Sequence, residues 1–331
     1  MIPIAGLLLV LSHAAAPPRD TLAVSPDTLA VVRALADSTA LPLGTRVVTR
    51  AVIATGGTGL GSVLDPTGVA VDPFGRVYVT DAALHRMQCY EADGRPVESF
   101  GALGTDPEQL QRPSGVAPLG ALGMAVLDRD NRRVQTFDLF GRPLGVLIDL
   151  GSDDLQRQLG SIDAVAIASD RGGALALLDR DRDRVLVFDF SGKPIRVMDA
   201  LGSAPGSFRG LGGIAFTPRG ELVTAERGNA RIQVFDAGGR VARSWPVAVG
   251  PGSGVLATAV DGDGRVALAD ETTGGLWLWA PDGTPIGSWS GLGHPRGLVF
   301  SSDGTLLVAE SMPPRVRRLA FQGPAAGPKE R

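Results

Sequence analysis

An acidic residue followed five positions later by an arginine recurs along this chain. The pairs are Asp81/Arg86, Asp128/Arg133, Asp179/Arg184, Glu226/Arg231 and Glu310/Arg315, and a sixth slot keeps Asp270 but has Gly275 in the arginine's place. Successive acids lie 47, 51, 47, 44 and 40 residues apart. Six copies of a unit this size restrict the chain to a repeat architecture, in which each copy buries its core against its neighbours.

Each acid closes a short apolar run, such as Val77-Tyr78-Val79 or Leu175-Ala176-Leu177-Leu178, and a second run precedes it, such as Val69-Ala70-Val71 or Val165-Ala166-Ile167. Runs of about four apolar residues bounded by turn residues read as strands buried on both faces. Turns such as Asp72-Pro73-Phe74-Gly75 separate the two runs, with glycine supplying the positive φ of a tight hairpin. The arginine opens a third strand, as in Arg231-Ile232-Gln233-Val234-Phe235. A further turn leads to a fourth, which often begins with proline (Pro96, Pro143, Pro194, Pro285). Proline is tolerated at a strand start or on an outer edge. A four-stranded antiparallel meander of roughly 40–50 residues is the unit of a β-propeller. Helical solenoids of similar period need apolar spacings of three and four, which residues 50–320 lack. The expected fold is all-β: a six-bladed propeller of four-stranded antiparallel blades. Blade three aligns with two extra residues in its first turn, and Ala70, Ala117, Ala166, Ala215 and Ala259 align as small groups at the axis.

The sixth copy stops after its third strand, where Gly323-Pro324-Ala325-Ala326-Gly327-Pro328 has the composition of a tail. A β-rich segment, residues 46–54, has no strands of its own before it. It is expected to supply the missing outer strand and close the ring, which removes an open seam. The expected organisation is a cleaved leader over 1–16, an N-terminal segment over 17–45, the propeller over 46–321 and a flexible tail over 322–331. Ser25-Pro26-Asp27 has the form of a helix start in the second of these.

The repeat resembles the NHL family. Its pattern is matched by Gly68-Val69-Ala70-Val71-Asp72 and by Asn229-Ala230-Arg231-Ile232-Gln233-Val234-Phe235-Asp236. The resemblance covers about residues 46–321 and is weakest in blade five, which lacks the arginine. It implies a six-bladed propeller acting through its loops.

A net charge of −3 argues against broad attraction to nucleic acid or anionic membrane. The apolar run Ile4–Leu11 is too short to span a bilayer. Followed by His13-Ala14-Ala15-Ala16, it has the pattern of a signal peptide, so export to the periplasm or beyond the cell is expected. Cys89 is the only cysteine, which leaves no internal disulfide. It aligns with Thr136 and Val234 as a small buried residue.

The acid/arginine pairs read as structural braces, because an acid closing one strand and an arginine opening its neighbour can satisfy each other. Loops between second and third strands share one face with the inter-blade loops, and loops on a rigid scaffold are where binding usually sits. That face carries Arg129, Asn131 and Arg132 in blade two, Arg180 and Arg182 in blade three, Arg227 and Asn229 in blade four, and Glu271 in blade five. The inter-blade loops add Gln111, Arg112, Ser114, His294 and Arg296. This rim is expected to recognise a protein or a small polar or anionic ligand, as a monomer, with no cofactor, catalytic residue or nucleic acid. The alternative is a lactonase-like or amidating-lyase-like propeller with a metal near His85 and His294. Two histidines need a carboxylate to complete a three-ligand zinc site. Asp261-Gly262-Asp263-Gly264 reads as turn chemistry rather than a calcium loop.

Overall fold

The computed structural model describes residues 46–121, 123–249 and 254–322. The leader, the N-terminal segment and all but the first residue of the tail lie outside the described residues. Six sheets of antiparallel strands form the blades, the sixth extended at its edge by the two-residue strand Ser62–Val63, which pairs parallel with Arg46–Gly56. Blade one comprises the strands Pro66–Val71, Val77–Asp81, Arg86–Tyr90 and Pro96–Phe100. Blades two to five repeat this order over 113–149, 164–198, 211–246 and 256–289. In blades one to five the second and third strands are mostly buried, while in blades three and four the fourth alternates half-buried and exposed residues, the pattern of an outer edge.

Blade six takes three strands from one end of the chain, Pro295–Phe300, Leu306–Ser311 and Pro314–Gln322. Its outer strand, Arg46–Gly56, pairs antiparallel with Pro314–Gln322 from Arg46↔Gln322 to Thr55↔Arg315. The ring is therefore closed by residues from both ends of the domain, as the orphan β-rich segment required. Inner strands touch in an unbroken cycle, blade six meeting blade one.

The inner strands carry a feature that short apolar runs conceal. In five blades the pairing slips by one residue just after the strand begins, at Pro66/Gly68, Pro113/Gly115, Ala164/Ala166, Leu211/Gly213 and Pro295/Gly297. Such a bulge leaves one residue unpaired and bends the strand. Glycine follows it where backbones crowd: a Cβ at Gly68 would lie 2.8 Å from the Gly115 Cα, and one at Gly213 would lie 1.8 Å from the Leu256 carbonyl oxygen. Blade five has no bulge; Leu256–Val260 pairs in register with Val266–Asp270 throughout.

This register corrects two expectations. Ala168, not Ala166, occupies the place of Ala70, so blade three has no extra residues in its first turn. Its added length lies partly in the preceding inter-blade loop, which holds the short helix Asp153–Leu159, capped by Ser152 and buried through Leu155 and Leu159. The axis is lined by Gly68, Gly115, Ala166, Gly213, Ala257 and Gly297. Ala70, Ala117, Ala215 and Ala259 are buried elsewhere, three of them within the apolar clusters of the blades.

Removing residues 46–54 deletes the outer strand of blade six and exposes its third strand. The expected result is cooperative destabilisation of the ring by several kcal/mol, or more than about 10 °C in melting temperature, read by calorimetry. An unchanged melt would show that the ring does not depend on this closure.

Candidate functional site

The upper face, formed by the inter-blade loops and the loops between second and third strands, rests on the acids. All six are fully buried, and a buried carboxylate is costly unless hydrogen-bonded. Five accept from a backbone amide 16 or 17 residues upstream, in the loop that enters their own blade: Leu64 and Asp65 to Asp81, Gln111 to Asp128, Asp163 to Asp179, Arg209 to Glu226 and Gly293 to Glu310. In blade five, one residue shorter here, Glu271 accepts from the Val255 amide instead.

The arginines complete the tie. Arg133 donates to Asp128 at 2.8 Å and to the carbonyls of Thr105, Asp106 and Gln109. Arg231 does the same with Glu226 and with Ser203, Ala204 and Ser207, at identical sequence offsets. Asn131 and Asn229 bridge acid and loop, to the Gly104 and Gly202 carbonyls. Arg184 and Arg315 pair with Asp179 and Glu310. Arg86 reaches the equivalent carbonyls of Thr58, Gly59 and Ser62, while Asp81 is satisfied by four backbone amides. Blade one thus keeps both halves of the brace without a direct hydrogen bond between them.

Gly275 proves to be an accommodation rather than a vacancy. The Trp277 ring lies against it, so close that a Cβ at 275 would sit 2.4 Å from Cη2. Asp270 is not left without a cation, as the sequence alone implied: Arg227 of blade four donates to it at 2.8 and 3.1 Å.

Arg227 is accordingly buried between blades. Arg129 makes an equivalent tie to Asp163, with contacts of 2.9–3.1 Å, and Arg296 joins Asp65 at 2.8 Å and Glu271 at 3.3 Å. Arg132 donates to the Leu150 carbonyl and Arg182 to that of Leu159. Among the expected rim residues, Arg180 makes no side-chain hydrogen bond or ion pair within the described residues. His85 accepts from the Arg112 amide at the seam of blades one and two. His294 belongs to the loop entering blade six, so the two histidines stand at different seams. Among the described residues, no three His, Cys, Asp or Glu side chains are grouped to hold a metal. Asp261 accepts from the Asp263 and Arg265 amides as a turn cap.

At the axis this face opens into a cavity of about 110 Å³, lined by the inner strands together with Arg129, Arg180 and Arg296. Bulges placed these residues, and apolar periodicity carries no signal for a bulge; the acid-to-strand spacing, shorter only in blade five, was the available clue.

These features define a six-bladed β-propeller whose loops are tied to buried acids. The chain carries an NHL-type repeat: the NHL repeat model matches residues 64–90. The Homo sapiens E3 ubiquitin-protein ligase NHLRC1 is 25% identical over 270 residues, covering 76% of this chain and 66% of that protein. The Drosophila melanogaster protein brain tumor is 28% identical over 134 residues, 40% of this chain and 12% of its own length. The chain therefore spans about two thirds of the ligases it matches. Among solved structures, a gluconolactonase from Xanthomonas campestris superposes with a TM-score of 0.60 at 14% identity, covering 86% of this chain and 93% of that one. A virginiamycin B lyase from Staphylococcus aureus, solved with quinupristin, gives 0.59 at 12%, covering 83% and 99%. At these identities the likeness is one of fold.

Two predictions test the braces. Arg231→Ala strips the buried Glu226 of its main cation and should cost about 3–5 kcal/mol by denaturant unfolding, against little for the exposed Arg95→Ala. Burial pushes the Glu310 carboxyl up, but hydrogen bonds from Arg315, Arg317 and the Gly293 amide outweigh it and hold its pKa below the ordinary value. With the folded value depressed, Glu310 contributes stability above the unfolded carboxyl pKa and loses it as pH falls through the folded one. Glu310→Gln should therefore lower the melting temperature more at pH 6 than at pH 3, flattening the acid limb.

Proposed function

We propose that this propeller is a protein-binding module that recognises its partner through the upper face. The observation that carries the reading is a preformed surface. The braces hold the loops without using every side chain on them. At the seam of blades three and four, Leu201 is 70% exposed beside Arg209, whose side chain is unpaired among the described residues, and Leu103 is 61% exposed at the seam of blades one and two. Exposed leucines interleaved with arginines on rigid loops suit a protein interface, which pays little ordering entropy when preformed.

The relatives support the same direction. An E3 ubiquitin-protein ligase acts on proteins, and the portion of NHLRC1 aligned here is of the size of the ring. The leader pattern over residues 1–16 supports export, so the partner is sought outside the cytoplasm; N-terminal sequencing of secreted material should give a chain beginning after Ala16.

Leu201→Asp combined with Arg209→Glu should leave the melting temperature within about 2 °C, as surface changes do. It should also reduce capture of chemically crosslinked partners from the native envelope fraction by about ten-fold or more. Arg171→Glu, on a lower-face turn, should not. Equal capture by the first variant, or loss with the second, would place recognition elsewhere.

A further inference from the structure

The first residue after the acid is arginine in three consecutive blades, and in two of them the following blade supplies its carboxylate. Arg129 meets Asp163, and Arg227 meets Asp270. Arg180 holds the same place in blade three. Blade four presents Gly210 where blade three presents Asp163, and its Glu226 already accepts from Asn229, Arg231 and Gln233. The Asp183 carboxylate stands at this seam but accepts from the Gly210 and Leu211 amides, so Arg180 is an exposed guanidinium with no ion pair among the described residues.

The axial cavity that it lines has no carboxylate side chain in its wall. Ser114 also lines it, with a buried Oγ that has no hydrogen-bond partner among the described residues, a condition rare enough in native structures to need a reason. Every inner strand is the last in its sheet, so the edge toward the axis has no neighbouring strand, and glycines leave backbone groups uncovered there. The charge is uneven around the mouth. Arg296 is shared by Asp65 and Glu271, Arg129 is paired with one acid, and Arg180 with none among the described residues. One uncompensated cation matches a monoanion; a phosphate dianion would meet the acids on the opposite side.

We propose that the axial mouth is a carboxylate-binding site, with Arg180 supplying the charge and Ser114 a hydroxyl donor. The carboxylate is that of an aspartate or glutamate side chain presented by a protein partner. This source rests on the reading of the upper face as a protein-binding surface; the site itself does not.

The test is amide NMR on the full chain at constant ionic strength, following Gly68, Gly115 and Gly213. The probes are acetate, a capped pentapeptide with a central glutamate, and its glutamine counterpart. Saturable shifts with the glutamate peptide are expected, about ten-fold weaker or absent with glutamine. They should be lost in Arg180→Ala and retained in Arg171→Ala. Arg180→Lys, which keeps the charge but not the fork, should retain part of the affinity. Acetate binding as tightly as the peptide would support the site and overturn the protein source. Shifts with neither probe, or shifts that survive Arg180→Ala, would overturn the site. Carboxylate binding that persists while Leu201→Asp/Arg209→Glu leaves partner capture unchanged would sink the functional reading and leave the site standing.

Discussion

A carboxylate with no exposed surface at the end of each second strand is the constraint on which the ring depends. Removing such a group from water is unfavourable by several kcal/mol unless hydrogen bonds replace the lost hydration. The replacement comes from the loop that enters the blade and, in most blades, from the arginine that opens the next strand. One requirement thus fixes three things at once: where the second strand stops, how the loop enters and how the third strand starts. Blades one and five show what is essential. Asp81 is satisfied by amides alone, and Asp270 by an arginine from its neighbour together with the Thr272 amide. The arrangement tolerates a change of donor but not an unanswered acid.

The architecture was legible because this constraint leaves a mark in the sequence. A five-residue offset survives loop variation, so blade number, strand order and the borrowed strand at residues 46–54 could all be read from it. The axis was less legible. Aligning Val165-Ala166-Ile167 with Val69-Ala70-Val71 misplaced blade three by two residues, and Ala70, Ala117, Ala215 and Ala259 were set at the centre where Gly68, Gly115, Gly213 and Ala257 stand, because apolar composition does not fix the register of the inner strands. Counting back from the acid, which gives a constant distance in every blade but the fifth, locates the strands correctly. The rim was legible in residue type but not in state. Arg129, Arg180 and Arg227 look alike in sequence, and only the neighbouring blade decides which is spent. Nothing local to Gly275 revealed that Trp277 folds back over it.

The same comparison separates scaffold from candidate site. Arg227 and Arg129 hold blades together, so their charge is unavailable to a ligand. Arg180 and Arg209, at one seam, keep theirs. Among the described residues the seam of blades three and four, where Gly210 stands in the place of Asp163, is where two loop arginines are left without an ion pair, whereas the break in the arginine ladder is filled by Arg227.

The pairing of Arg46 with Gln322 has a consequence for how the domain is mounted. In each blade the third strand descends from the upper face and the fourth returns to it. Gln322 ends a third strand and Arg46 begins a fourth, so the chain enters and leaves the ring side by side on the lower face. Whatever is joined at either end, whether a tether, a label or another domain, is attached behind the loop surface.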